Sequence, residues 1–284
     1  MYDYELFGLL VSSAFHLPML QQTKHQSAQV SIVSGELDAN SAMQVMPDIV
    51  TFSIPDLARF RISGGDTITV QLEEGASMHL LSLYLLGSCM GAILWQRGGM
   101  LLHGSCVAKD GKGLLLTGAS GAGKSTLARE FLRNGWQLVT DDVASIVVKD
   151  GVHYVQSSYP SQKLWQDAMD RYVLEGESLY QENRKDKYHV DTSAYFKEGL
   201  TPLCGVVRLA VGEETAVHPV EGIAQVDQLM KNTYRPYMIP AEHRERHFQR
   251  CVALADEVPM LLGIRTDAPD GAALLREKIE EAFL

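Results

Sequence analysis

Eight consecutive residues, Gly118-Ala119-Ser120-Gly121-Ala122-Gly123-Lys124-Ser125, have the types and spacing to hold a polyphosphate. A triphosphate needs many hydrogen-bond donors in a small space. Successive backbone N–H groups in a glycine-rich turn, aimed by a helix N-terminus, supply them without bulky side chains in the way. Lys124 would reach the β- and γ-phosphates as a point charge, the Ser125 hydroxyl would be a Mg²⁺ ligand, and Thr126 follows as the next residue inside the helix. Such a loop works only between a strand and a helix. The sequence supplies both: Leu114-Leu115-Leu116 precedes it, and Leu127, Phe131 and Leu132 follow at helical spacing up to a stop at Gly135. That context separates the motif from a chance match in a chain with 24 glycines. The expected ligands are ATP, or another nucleoside triphosphate, and Mg²⁺.

A second group of residues could act on the bound phosphates. Asp141-Asp142 closes the strand expected over Trp136 to Thr140, where a carboxylate can face the metal from the C-terminal edge of a sheet. One acid would hold Mg²⁺ and the other could take a proton from an attacking hydroxyl. The plainer alternative is a turn or helix cap. His103 stands on a strand ahead of the loop; by itself a strand histidine is more often a hydrogen-bonded structural residue. Arg184, Lys185 and Lys187 could clamp phosphate or acidic substrate groups, although a solvated charged loop over Gln181 to Lys187 is the commoner use of such residues. His243 and His247 imitate a helical zinc pair, yet Arg244 stands where a metalloprotease has its Glu.

Around these residues the chain is ordinary globular material, 284 residues with 46% hydrophobic and 21% charged, enough for one large domain or two small ones. A formal net charge of −10 removes any basic field for a nucleic-acid backbone or an anionic membrane, so neither is an expected partner. Cys89, Cys106, Cys204 and Cys251 are widely spaced and suggest no disulfide framework or zinc ribbon, which fits a reducing cytoplasm. The N-terminus carries acids where a secretory signal carries Lys or Arg and reads as a first strand.

Two domains are expected. Residues 1–74 carry short β-patterns, Val30 to Val33, Val50 to Ile54, Arg59 to Ile62 and Thr67 to Leu72, and form a small, mainly antiparallel module. Residues 75–284 form an α/β catalytic domain. It opens on an apolar stretch from Gly75 to Gln96, whose Gly87 and Gly91 have the spacing of a membrane-helix contact. The polar His79, Ser82 and Ser88 favour a buried core helix, its glycines admitting another backbone. Asp110-Gly111 and Asp150-Gly151 are hairpin turns. Further along, the pattern predicts a helix over Leu164 to Leu174, a strand over Leu203 to Val211, helices over Ile223 to Lys231 and Ala241 to Leu254, a strand over Pro259 to Arg265 and a helix over Ala272 to Phe283.

From His103 to Asp142 the sequence resembles the catalytic core of the HPr kinase/phosphorylase family, itself related to the ATP-dependent phosphoenolpyruvate carboxykinases. In that family a His-Gly dipeptide opens a hairpin, the hairpin leads into a glycine loop ending in Lys-Ser, and a helix and strand then end in Asp-Asp. Here these are His103-Gly104, Gly118 to Ser125 and Leu138-Val139-Thr140-Asp141-Asp142, with His103 21 residues before Lys124 and Asp141 17 after it. The resemblance implies a P-loop-containing core like that of the HPr kinases and carboxykinases. It also implies Asp141 as the base for a serine hydroxyl, His103 orienting it, Asp142 and Ser125 serving the metal, and a homo-oligomer, since relatives form hexamers. Thr126 replaces the family's glutamate, and the signature after Asp-Asp that engages HPr is not recognisable. The whole-chain pattern, including Arg97-Gly-Gly-Met-Leu-Leu-His-Gly-Ser105 and Tyr159-Pro-Ser-Gln-Lys-Leu-Trp165, is more similar to the HPr-kinase-related proteins of lasso-peptide biosynthesis. This implies a kinase for the C-terminal serine of a precursor peptide. A small-molecule kinase and a nucleotide-dependent binding module without transfer are the alternatives.

Overall fold

The computed structural model describes residues 1–25, 27–38, 43–172, 179–181 and 187–283. Contacts divide the chain into two units, Met1–Leu101 with Tyr234–Phe248, and Leu102–Thr233 with Gln249–Leu284.

The first unit holds seven strands, β1 (Tyr2–Leu6), β2 (Leu9–Ser13), β3 (Val30–Ser34), β4 (Gln44–Val45), β5 (Ile49–Ile54), β6 (Ala58–Ser63) and β7 (Thr67–Leu72), in one sheet of order β1-β2-β3-β7-β6-β5-β4. Alternation does the work: Ala58, Phe60 and Ile62 of β6 are buried while Arg59 and Arg61 are not. Pairing is antiparallel except where β3 lies parallel between β2 and β7.

The apolar stretch is helical, as α1 (Met78–Tyr84), a π-helical turn (Leu85–Cys89) and α2 (Met90–Gln96). Met78–Gln96 is long and apolar enough to cross a membrane, yet 72% of its most apolar window is buried inside the protein. Its end is tied to the β6–β7 hairpin: the Gln96 amide donates to the Ile62 carbonyl at 3.1 Å and accepts from the Gly65 N–H at 2.9 Å. The helix therefore belongs with the sheet, and the unit boundary falls at Leu101 where the sequence suggested residue 74. The glycines admit a side chain and not the expected backbone. A Cβ at Gly91 would stand 2.9 Å from Cε1 of Tyr234, and one at Gly87 3.3 Å from its hydroxyl. His243 is likewise structural, with Nδ1 2.9 Å from the Trp95 carbonyl, and His247 meets the Trp95 ring edge-on at 5.1 Å. Among the described residues no group of three or more His, Cys, Asp or Glu could hold a metal.

The second unit is α/β. Its elements follow from β8 (Met100–Lys109), β9 (Lys112–Thr117), α3 (Lys124–Arg133), β10 (Gln137–Thr140), β11 (Val143–Lys149) and β12 (Val152–Gln156) to β13 (Ser161–Trp165), α4 (Gln166–Tyr172), β14 (Leu179–Gln181) and β15 (Lys187–Asp191). After these come β16 (Leu200–Val211), β17 (Ala216–Val220), α5 (Ile223–Lys231), the part of α6 (Arg244–Glu257) beyond Phe248, β18 (Met260–Arg265) and α7 (Gly271–Phe283). The main sheet runs β10-β8-β11-β12-β16-β18-β17, with β9 paired antiparallel to β8 and parallel to β16. Asp110 and Gly111, like Asp150 and Gly151, adopt positive φ, the geometry that two-residue hairpins require. Leu127 and Phe131 of α3 and Leu275 and Ile279 of α7 bury against Leu114, Leu116, Val207 and Leu209 of the sheet, which fixes the start of α3 over the end of β9.

One departure from the sequence lies at residues 161–165: a helix is expected from Leu164, with no element assigned to 161–163, whereas the structure has a strand here and begins the helix at Gln166. β13 pairs with β15 in a separate sheet of order β13-β15-β14. Leu164 is its only aliphatic residue, so the period-two signal was too weak to read. The helix near 241 opens with a 3₁₀ turn, Ala241–His243, and β17 was not anticipated. Within the charged segment Gln181 to Lys187, Arg184 and Lys185 lie outside the described residues, and for Lys187 only the backbone, at the start of β15, is described.

Candidate active site

The glycine loop connects β9 to α3, with three positive φ angles, at Gly118, Gly121 and Gly123. Gly118 is required on steric grounds as well, and a side chain at Gly123 would displace the Arg265 guanidinium. A Cβ at Gly118 would lie 2.8 Å from the Leu209 carbonyl oxygen, and one at Gly123 would lie 2.7 Å from Nε of Arg265. The loop is further fixed by Asn232, whose Oδ1 accepts from the Gly118 N–H at 2.9 Å, and by Arg265, whose Nε donates to the Ala122 carbonyl at 3.0 Å. Lys124 folds back over this turn and donates to the carbonyls of Gly118 at 2.9 Å and Ala119 at 3.1 Å.

Beside the loop is a cavity of about 510 Å³, lined by His103, Ser105, Ser120, Gly121, Gly123, Lys124, Ser125, Thr126, Asp141, Asp142, Lys163, Trp165, Gln166 and Arg265. That volume is in the range that encloses a nucleotide-sized ligand. The structure thus brings His103, the loop, Lys124, Ser125, Thr126 and both acids to one concavity. For the proposed phosphate contacts Arg184 and Lys187 the described residues provide no side chain.

The two acids are held differently. Asp141 is buried, and its carboxylate accepts from the Ser105 hydroxyl, from the Lys163 N–H at 2.8 Å, and from the Ser125 hydroxyl at 3.3 Å to Oδ1. Burial pushes its carboxyl above the ordinary carboxylate range, the Lys163 N–H and the Ser105 hydroxyl pull it back, and the neighbouring Asp142 charge pushes it up again. Asp142 takes a left-handed backbone (φ 75°), which Asp tolerates better than most residues and which turns its side chain away from that of Asp141. Its Oδ2 lies 2.8 Å from Nζ of Lys163 and its Oδ1 3.2 Å from Nδ1 of His103. Burial raises its pKa, but the Lys163 charge and the His103 hydrogen bond outweigh that and hold it well below the usual range. Ser125 therefore stands with Asp141, whereas the family resemblance had grouped it with Asp142.

His103 is fixed from three directions. Its N–H donates to the Asn232 carbonyl at 2.7 Å, and its Nδ1 lies 3.0 Å from the Asp142 carbonyl as well as beside the Asp142 carboxylate. The glycine after it is needed because a Cβ at Gly104 would lie 2.6 Å from the Leu116 carbonyl of β9. Five residues escaped the sequence reading: Ser105, Gln162, Lys163, Asn232 and Arg265. Of these, Arg265 had a signal, since it ends a predicted strand of the α/β core, and α/β sheets place ligands at strand ends. Gln162, whose amide donates to the Ser125 carbonyl at 3.0 Å, and Lys163 lie on β13, where the sequence assigned no element before Leu164.

Mg²⁺ demands oxygen ligands and commonly takes only one or two from the protein, the rest being phosphate oxygens and water. The Ser125 hydroxyl and the Asp141 carboxylate, in contact at the loop, are such a pair, so the residues fit the ion without a larger acidic cluster.

Comparisons with known proteins give partial matches to one enzyme family and a longer match to one family model. HPr kinase/phosphorylase of Clostridium botulinum is 48% identical over 50 residues, 18% of this chain and 16% of that protein. The Clostridium beijerinckii protein is 50% identical over 50 residues, 18% and 17% of the two chains. The enzyme of Lachnoclostridium phytofermentans is 27% identical over 117 residues, 39% of this chain and 38% of that one. The chain thus spans less than two fifths of these relatives' length. The solved HPr(Ser) kinase/phosphatase from Coxiella burnetii aligns with a TM-score of 0.34 at 12% identity, over 64% of this chain and 95% of its own. The chain is HPr-kinase-like, with an α/β, P-loop-containing core. The family model described as SynChlorMet cassette protein ScmC matches residues 70–268, well over half of the chain, and the chain belongs to that family.

Proposed function

We propose that this chain is an ATP- and Mg²⁺-dependent kinase that phosphorylates a serine hydroxyl of a peptide, the first acceptor to test being the C-terminal serine of a lasso-type precursor. The observation that carries the reading is the contact between Ser125 and Asp141 inside a cavity walled by the glycine loop. Phosphoryl transfer asks the protein mainly for positioning and for charge at the phosphates. The loop N–H groups and the first turn of α3 bind the polyphosphate, and Lys124 exchanges its two carbonyl partners for phosphate oxygens. Ser125 and Asp141 hold the cation, which when bound neutralises charge on the phosphate oxygens. Asp142, turned away from that pair and backed by His103, is placed to accept the proton of the acceptor hydroxyl. A soluble chain working where ATP is abundant, in the cytoplasm, fits this activity, and the acidic net charge gives no reason to expect nucleic acid or membrane as partner.

The test is direct. Purified protein is incubated with Mg²⁺, γ-labelled ATP and synthetic peptides that end in Ser or Ala, beside a panel of hydroxylated metabolites. Label on the Ser peptide alone is the expected result. Label on a metabolite alone would move the acceptor class, and ATP binding without any transfer would leave a nucleotide-dependent binding module.

A further inference from the structure

Lys163 grips both members of the acidic pair. Its backbone N–H donates to Asp141 Oδ2 at 2.8 Å, and its ammonium lies 2.8 Å from Asp142 Oδ2. Strand geometry explains the aim. Leu164, the next residue, is buried in a cluster with Ala168, Met169, Tyr172 and Val190. Alternation along β13 then presents Lys163 and Trp165 to the cavity, and both line it. The side chain of Lys163 keeps 23% of its surface exposed, so the ammonium can move while the backbone stays paired opposite His189.

Charge makes the position informative. A nucleoside triphosphate entering beside Asp141 and Asp142 brings more negative charge to two carboxylates. Lys124 and the cation held by Ser125 and Asp141 answer for the loop side. Asp142 has its ion pairs with His103 and Lys163, and of these two the Lys163 ammonium is the one carried on a flexible four-carbon stem.

We propose that Lys163 is a catalytic residue of this site, its ammonium passing from Asp142 to the γ-phosphoryl oxygens as the phosphoryl group leaves the nucleotide. The inference rests on the kinase reading above. In the step, the acceptor oxygen bonds to the γ-phosphorus and the bond from phosphorus to the β,γ-bridging oxygen breaks. The nucleoside diphosphate takes that electron pair, and the acceptor proton passes to Asp142. Charge on the equatorial oxygens is what a preorganised cation stabilises. As the ammonium leaves Asp142, the same movement frees that carboxylate for the proton.

The experiment compares wild type, Lys163→Met and Lys163→Arg by calorimetry with MgADP and with MgADP plus fluoroaluminate, and by ADP release with a Ser-ending peptide or water as acceptor. In Lys163→Met, MgADP affinity stays near the wild-type value, which also reports a folded site. Fluoroaluminate-dependent affinity and turnover both fall by about 100- to 1,000-fold, the loss that follows removal of one transition-state donor, and Lys163→Arg restores part of each. Wild-type turnover in Lys163→Met, or a measurable weakening of MgADP and fluoroaluminate binding by the same factor, would overturn the assignment while leaving the kinase reading intact. A wild type that binds MgATP and releases no ADP with either acceptor overturns both. If Lys163→Met does not bind MgADP, Lys163→Arg decides: recovery of MgADP binding with weakened fluoroaluminate binding supports the role, and full recovery of both with unchanged turnover opposes it.

Discussion

Asn232 Oδ1 accepts a hydrogen bond from the Gly118 N–H at 2.9 Å, while the carbonyl of the same residue accepts from the His103 N–H at 2.7 Å. One residue at the end of α5 thus sets the first glycine of the phosphate loop and the histidine beside the acidic pair. Its own amide is held by the Gln228 carbonyl at 2.8 Å. Asn232→Ala leaves a buried N–H at Gly118 without this acceptor, which costs about 1–3 kcal/mol. The expected outcome is a lower melting temperature together with weaker MgATP binding. Unchanged MgATP affinity in calorimetry would show that the loop holds its shape without Asn232.

Lys124→Ala removes the only loop side chain that reaches a phosphate as a charge. Nucleotide-dependent transfer should be abolished. Stability should change little, because Lys124 hydrogen-bonds to two carbonyls that can accept from water once the side chain is gone. A labelled-ATP assay beside a thermal melt separates the two effects.

The two acids should respond to neutralisation with opposite signs. Asp141 has a raised pKa, so at neutral pH the fold bears a buried charge it disfavours. That cost appears as pH rises from the ordinary value of 3.8 through the raised one and persists above it. Asp141→Asn should therefore melt above wild type at neutral pH while losing the Mg²⁺-dependent part of nucleotide binding. Asp142 has a lowered pKa and contributes stability that is present above 3.8 and lost as pH falls toward its folded value. Asp142→Asn should melt below wild type at neutral pH, retain MgATP binding and lose transfer. Both differences should shrink in acid, and melting curves across pH check the signs. Turnover retained in Asp142→Asn would return the proton-accepting role to Asp141.

Gly91→Ala places a methyl group 2.9 Å from the ring of Tyr234. Overpacking of this kind costs about 1–3 kcal/mol, offset in part by the better helix propensity of Ala. A lower midpoint in denaturant titration is expected. A midpoint equal to wild type would mean that Tyr234 has room to withdraw.

The glycine loop, its flanking strand and helix, and the Asp-Gly hairpins were legible because each is a local matter. Positive φ at Gly111 or Gly151, a helix stop at Gly135 and the repeat of Leu127, Phe131 and Leu132 are each decided within a few residues. The sequence also placed His103, Lys124, Ser125, Asp141 and Asp142 as candidates, since type and spacing carry them. Strands β1, β3, β5, β6 and β7 of the first unit were equally readable, as β6 shows with one face buried and the other not, whereas β2 and β4 were not anticipated.

Three things needed the tertiary structure. The pairing of β13 with β15 made a strand of a segment to which the sequence assigned no element before Leu164, and that strand delivers Gln162 and Lys163 to the site. The left-handed backbone of Asp142 parted two adjacent carboxylates, so that Asp141 met Ser125 while Asp142 met His103 and Lys163. Asn232 came to the loop from 114 residues away. Local propensity is read off neighbours in the chain. Which distant side chain satisfies a buried N–H or a buried charge is settled only when the sheet closes around it, and no spacing rule encodes that choice.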